Sequence, residues 1–238
     1  MPQLEIKNLT VKYDNDVALK DINFAIEAND YLAIIGENGS GKTTLVKAIL
    51  GLLKVDDGTI LFENKNLKKK IGYVPQKSVI QKNFPASVME VVLSGFVSKD
   101  RLSPLYSNKE KITAISNMQC VNIEHLKNRS FHNLSGGQQQ RVLLARALNS
   151  AENIIFMDEP VANLDPVASK EFYDAVNHLN KAHNVTIITT THDIKTIVKH
   201  ANKILHLDKK VLFFGSTDEY LKTDLSKIMM GSDHYDVH

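Results

Sequence analysis

From Gly36 to Thr43 the chain reads Gly-Glu-Asn-Gly-Ser-Gly-Lys-Thr, the pattern G-x-x-x-x-G-K-[ST]. These residue types at this spacing suit one task, the holding of a phosphate chain. The glycines Gly36, Gly39 and Gly41 let successive backbone N–H groups turn inward around phosphate oxygens. Lys42 sets a point charge near the β- and γ-phosphates, and Thr43 offers a hydroxyl to Mg²⁺. A helix starting here adds the partial positive charge of its N-terminus. Farther on, Ile154-Ile155-Phe156-Met157 runs into Asp158-Glu159. Two acids after four apolar residues are costly unless they sit at the exposed end of a strand, where ligands of an open parallel sheet bind. Asp158 fits a Mg²⁺ partner there, directly or through water, and Glu159 a general base or water-positioner. Without the phosphate cradle, the same two acids would be equally well read as solvated.

A second anion-binding element lacks a cradle of its own. Asn133-Leu134-Ser135-Gly136-Gly137 precedes the helical QQQRVLLARALNS. Ser135 can cap that helix, and the two glycines leave its first amides open to an anion. Two copies arranged head to tail would resolve the mismatch, each placing Ser135 over the other's nucleotide. A capped helix and nothing more satisfies the same residues.

These residues need a scaffold that brings strand ends and helix starts together. The first thirty residues alternate as strands do. Leu4 and Ile6 share one face, as do Leu9, Val11 and Tyr13, with a slip of phase near Asn8, and Ile22, Phe24 and Ile26 continue the pattern. YLAII, at 31–35, is apolar on both faces, as a covered parallel strand is, and it feeds the Gly-rich loop. In the following helix Leu45, Ile49 and Leu52 are expected on one face. Asp57-Gly58 reads as a turn, with TILFE and IGYVP as strands after it. Ser87-Val88-Met89-Glu90 is a capping box before an apolar helix. From Asn153 strand and helix alternate again, and KILHLDKKVLFFG reads as an antiparallel hairpin. The expected fold is α/β: a nucleotide-binding core with a mostly parallel sheet, an N-terminal antiparallel β subdomain and an inserted α-helical subdomain. The expected division is a core of residues 1–76 and 150–238, with a mostly helical insertion at 77–149 carrying Ser135.

Composition narrows the class. The 238 residues are 43% hydrophobic and 24% charged, which disfavours both a disordered and a membrane-spanning chain. No apolar run approaches the ~18 residues of a transmembrane helix. The start, MPQLEIKN, has no apolar signal region. A net charge of +2 is too small to imply a nucleic-acid partner, and the Lys68-Lys69-Lys70 run reads as solvated surface. The single cysteine, Cys120, fits a reducing compartment and is expected as a small buried residue.

Together these motifs, in this order, resemble the ATP-binding subunit of an ABC transporter over nearly the whole chain. The resemblance implies ATP and Mg²⁺ as cofactors. Gly36, Asn38, Gly39, Ser40, Gly41, Lys42, Thr43 and Thr44 match the Walker A motif, and Tyr13 matches the aromatic that stacks on adenine. Gln76, in YVPQ, matches the glutamine that contacts Mg²⁺ and senses the membrane subunit. Leu134, Ser135, Gly136, Gly137 and Gln138 form an unaltered LSGGQ signature. Asp158 and Glu159 match Walker B and the catalytic glutamate. Asp165 lies in the D-loop, where Asn163 replaces the family's common alanine, and His192 matches the histidine that contacts the γ-phosphate.

The family implies a homodimer closing on ATP and separate integral membrane permease subunits. It also implies an extracytoplasmic substrate-binding protein acting indirectly, and a place on the cytoplasmic face of the cell membrane. The segment GYVPQKSVIQKNFPASVMEVVLSGF, at 72–96, resembles importers of zinc and manganese. Siderophore and cobalamin importers share much of it. A soluble ABC ATPase of iron–sulfur cluster assembly is a further alternative, although its signature region is usually less glutamine-rich. ABC proteins acting on ribosomes or DNA carry two cassettes or a long coiled coil, which this chain lacks. The tail GSDHYDVH, with His234 and His238, reads as a disordered terminus ahead of a weak metal site.

Overall fold

The computed structural model describes residues 2–14, 16–64, 70–76, 86–96 and 105–231. Most of the FPASVMEVV segment's approach, at 77–85, and the tail histidines lie outside them, as do Lys68 and Lys69. The elements begin with β1 (Leu4–Tyr13), β2 (Asp16–Ile26), β3 (Tyr31–Ile35), α1 (Lys42–Ile49), β4 (Asp57–Phe62) and β5 (Ile71–Val74). Three helices follow, α2 (Val88–Leu93), α3 (Asn108–Cys120) and α4 (Gly136–Ser150), then β6 (Ile154–Asp158), α5 (Pro166–His183) and β7 (Thr186–Thr191). The chain continues through α6 (Ile194–Ile197), β8 (Lys203–Asp208), β9 (Lys210–Ser216), α7 (Thr217–Tyr220) and α8 (Asp224–Gly231). Among the described residues no helix is long and apolar enough to cross a membrane.

Contacts divide the chain into two units, Met1–Lys68 with Ile188–His238, and Lys69–Ile187. In the first, β1 pairs antiparallel with β2 and β4, giving the order β2-β1-β4. The phase slip falls where the alternation places it: Leu4, Ile6, Leu9 and Val11 are all buried, the register shifts between Ile6 and Leu9, and Asn8 takes φ 51°. Asp57-Gly58 is not a turn between strands. It opens β4, with Asp57 opposite Thr10. Beside the end of β7 in this unit lie β3, β8 and β9, in that order. β3 is buried along its whole length and parallel to β8, which turns into antiparallel β9 as the hairpin pattern requires. α1 stops at Ile49, so Leu52 falls past its buried face and is 68% exposed.

The second unit pairs β5 parallel to β6, with the start of β7 beside β6. The larger sheet is thus mixed and mostly parallel. Three of the unit's helices start with reciprocal capping boxes, Ser87 with Glu90, Ser107 with Glu110 and Ser135 with Gln138. Each satisfies two backbone donors that a helix start otherwise leaves unpaired. α4 buries Gly137, Gln140, Leu144 and Ala147, a stripe at helical spacing, against its neighbours.

Candidate active site

In the first unit, buried β3 delivers Gly36 at its end, and the loop turns back to start α1. Gly36 has φ +151°, and a Cβ there would stand 2.2 Å from the Leu207 carbonyl oxygen and 2.6 Å from Ser40 Oγ. Only glycine lets this backbone pass so close to β8. Lys42 is buried; its ammonium donates to the carbonyls of Gly36 (2.7 Å) and Glu37 (2.8 Å), folding the side chain back across the loop. Gly41, the N-cap of α1, is left-handed, and no side chain caps the helix. Its first amides therefore face the loop instead of a capping oxygen. Ser40 Oγ is buried without a hydrogen-bond partner, a polar group that a bound oxyanion would satisfy. The residues fit a phosphate chain.

Thr43 is exposed and Thr44 half-buried at this helix start, while Asn38 and Gly39 lie exposed on the loop. His192, at the end of buried β7, is exposed; the next residue, Asp193, caps α6 by accepting from the Thr196 amide. Tyr13 ends β1. The alternation puts it inward with Leu9 and Val11, but its ring is 50% exposed, because the strand runs out at the Asp14 turn. An exposed ring offers a face to a flat base. If it stacks on adenine, the stack is worth ~1 kcal/mol beyond burial. Tyr13→Ala is then expected to weaken ATP binding several-fold and Tyr13→Phe to leave it unchanged, as read by titration with a fluorescent nucleotide. Equal losses in both would assign the effect to the hydroxyl.

The second unit carries the acids. β6 is buried throughout and ends at Asp158, itself 7% exposed. Burial, and after it the Asp158 charge, holds the Tyr73 phenol above its ordinary pKa, so the carboxylate's field reaches the neighbouring strand. Glu159 follows with φ 43°, left-handed and unusual for a residue with a side chain. Gln76, just past β5, donates from Nε2 to Glu159 Oε2 at 3.2 Å. Thus Gln76 and Glu159, 83 positions apart, meet at the ends of adjacent parallel strands. Asp158 and Gln76 carry oxygen donors of the hard kind that Mg²⁺ takes, and so, in the first unit, does Thr43.

Ser135 is exposed, with Oγ accepting from the Gln138 amide (3.3 Å) and Gln138 Oε1 accepting from the Ser135 amide (3.0 Å). Asp165 caps α5, accepting from the amides of Val167 and Ala168. The two helix starts are locked together. A Cβ on Gly137 would come within 2.7 Å of Ala168 Cβ, and Arg141 pairs with Glu171 across the same helices at 2.6 Å. Sequence reading missed Gln140, which is 1% exposed and donates to the Pro160 carbonyl at 2.6 Å. It ties the signature helix to the turn after Glu159. Its signal was available: it is the one polar member of the buried stripe on α4.

A phosphate cradle at a strand-to-helix turn, with acids at the end of a buried parallel strand, defines a P-loop nucleotide-hydrolysing fold. Residues 19–162 match the ABC transporter family, and the chain belongs to it. It is the ATP-binding cassette, the subunit in which that family hydrolyses ATP to power transport. The zinc uptake system ATP-binding protein ZurA of Listeria innocua is 38% identical over 223 residues, covering 91% of this chain and 87% of ZurA. The structure of cbiO1 from Clostridium perfringens, part of the ABC transporter complex cbiONQ, is 30% identical with TM-score 0.82, covering 96% of this chain and 95% of that one. A bacterial ABC transporter cassette solved as a dimer is 27% identical with TM-score 0.75, covering 90% and 98%. Cassettes of this family dimerise and work with membrane permease subunits.

Proposed function

We propose that this ATPase powers the import of a divalent metal ion, zinc ahead of manganese. The observation carrying the cargo is the 38% identity with a zinc uptake ATPase over nine-tenths of the chain. A cassette docks on its permease, so its sequence follows the type of transporter while the ATP chemistry stays constant. It therefore works on the inner face of the cell membrane. A substrate-binding protein outside would select the ion, and the ATPase itself need not touch it.

In this reading residues 1–76 and 150–238 form the ATPase core, and 77–149 the helical insertion. Gly36, Asn38, Gly39, Ser40, Gly41, Lys42, Thr43 and Thr44 hold the phosphates, and Tyr13 stacks on adenine. Thr43, Gln76 and Asp158 would hold Mg²⁺, which supplies charge neutralisation on the phosphate oxygens. Glu159 aligns the attacking water and takes its proton, with Gln76 holding the carboxylate. His192 meets the γ-phosphate. Ser135, Gly136, Gly137, Gln138 and Asp165 complete the site of the second copy. ATP thereby closes the dimer, closure moves the permease, and hydrolysis resets it.

The test is growth of a deletion strain in chelated medium with metals returned singly. Rescue by zinc or manganese alone is expected. A strain indifferent to both, yet starved of a siderophore or cobalamin, overturns the cargo.

A further inference from the structure

Gln140 occupies an unfavourable place for an amide. It is 1% exposed, on the face of α4 that also buries Gly137, Leu144 and Ala147. An apolar side chain would fill that stripe without a polar group to desolvate. Among the described residues, Gln140 Oε1 is buried with no hydrogen-bond partner. Its Nε2 makes one short bond, to the Pro160 carbonyl oxygen at 2.6 Å. A carbonyl only accepts, so this orientation of the amide is fixed by chemistry.

Pro160 is buried too, and its carbonyl needs a donor. A glutamine that did no more than supply one would have a purely structural role. The position of the carbonyl points further. It belongs to the residue after Glu159, whose backbone is disfavoured twice over. Glu159 is left-handed at φ 43°, and it precedes a proline, which steers the residue before it toward extended backbone. Such a conformation persists where its surroundings hold it. The Ala162 amide donates to the Glu159 carbonyl (3.3 Å), within the turn, and Gln76 Nε2 donates to the carboxylate (3.2 Å). Gln140 holds the backbone just beyond Glu159, from α4. All these residues lie in the second unit. The carboxylate hangs from its Cα by two methylenes, so a rotation of that backbone swings its oxygens away from their place.

We infer that Gln140 is a positioning residue for Glu159: its bond to the Pro160 carbonyl keeps the left-handed turn, and with it the carboxylate, where water is aligned. This role rests on that of Glu159 as base. Gln140 takes no part in the proton transfer and acts through the backbone alone.

The test is a double-substitution cycle on the purified full chain, with turnover followed on radiolabelled ATP. Gln140→Met keeps an unbranched side chain of similar volume but has no N–H to donate. It should lower kcat by about 10–10²-fold, the scale of a misplacement of ~1 Å, with ATP affinity and KM unchanged. In the Glu159→Gln background the same substitution should lower the residual turnover by less than about twofold, because no base remains to be misplaced. Gln140→Asn keeps a buried amide and draws it back by about 1.5 Å, one C–C bond. It should show the same pattern with a smaller loss. Circular dichroism and ATP titration check that each variant is folded. A purely structural role predicts a loss by the same factor in both backgrounds. That result, or parental turnover in Gln140→Met and Gln140→Asn, overturns the positioning role and leaves Glu159 as the base. Parental turnover in Glu159→Gln alone overturns the base, and this role with it.

Discussion

Glu159→Gln is expected to bind ATP as the parent does and to lose turnover by roughly 10²–10⁴-fold, the contribution of a positioned general base. The substitution isolates the chemistry. Glutamine keeps an Oε that can accept from Gln76 Nε2, so the 3.2 Å contact survives. It also keeps the unbranched Cβ, so the backbone at φ 43° is no more strained than before. What disappears is the ability to take a proton. With ATP bound and hydrolysis blocked, the closed dimer should accumulate, visible as an ATP-dependent shift in gel filtration. Phosphate release near the parental rate in purified Glu159→Gln would remove Glu159 from this role.

Ser135→Arg and Lys42→Ala should each weaken ATP-driven dimerisation at least about tenfold as homodimers, equivalent to ~1.4 kcal/mol, yet rescue one another when mixed. If Ser135 acts on the partner's nucleotide, the mixed dimer has one doubly damaged composite site and one intact site. The intact site combines the Lys42 of one chain with the Ser135 of the other. Ser135 suits a role across an interface, being exposed at the start of α4 with its loop already shaped by the Gln138 capping box. Arginine destroys that cap and fills the space above the first amides. Co-elution of differently tagged chains with ATP measures the outcome. Normal ATP-dependent dimerisation of Ser135→Arg alone would defeat the trans arrangement.

Features set by neighbours in sequence were legible before any coordinates. The capping box at Ser87, the helix cap at Ser135, the slip at Asn8 and the double-sided burial of YLAII each follow from residues within four positions of one another. Periodicity failed where an element stopped: Leu52 continues the pattern of Leu45 and Ile49, but α1 has ended, and Tyr13 continues that of Val11 at the last residue of β1. The P-loop could be read because its function lies in consecutive backbone amides. The approach of Gln76 to Glu159, the Gly137–Ala168 contact and the hydrogen bond of Cys120, half-buried and not buried as expected, with His183 join distant residues. No local pattern encodes such meetings; packing of the strands and helices creates them.

If Glu159 carries the catalysis proposed for it, its left-handed backbone separates selection for folding from selection for catalysis. A side chain in that conformation costs roughly 1–2 kcal/mol that glycine does not incur, and asparagine tolerates it better than glutamate. Fold maintenance alone would drive this position toward glycine or asparagine. Glutamate persists only while something rewards the carboxylate. In a lineage whose transporter had fallen out of use, position 159 should therefore be among the first to drift, and the drifted proteins should melt at higher temperature than their working ancestors.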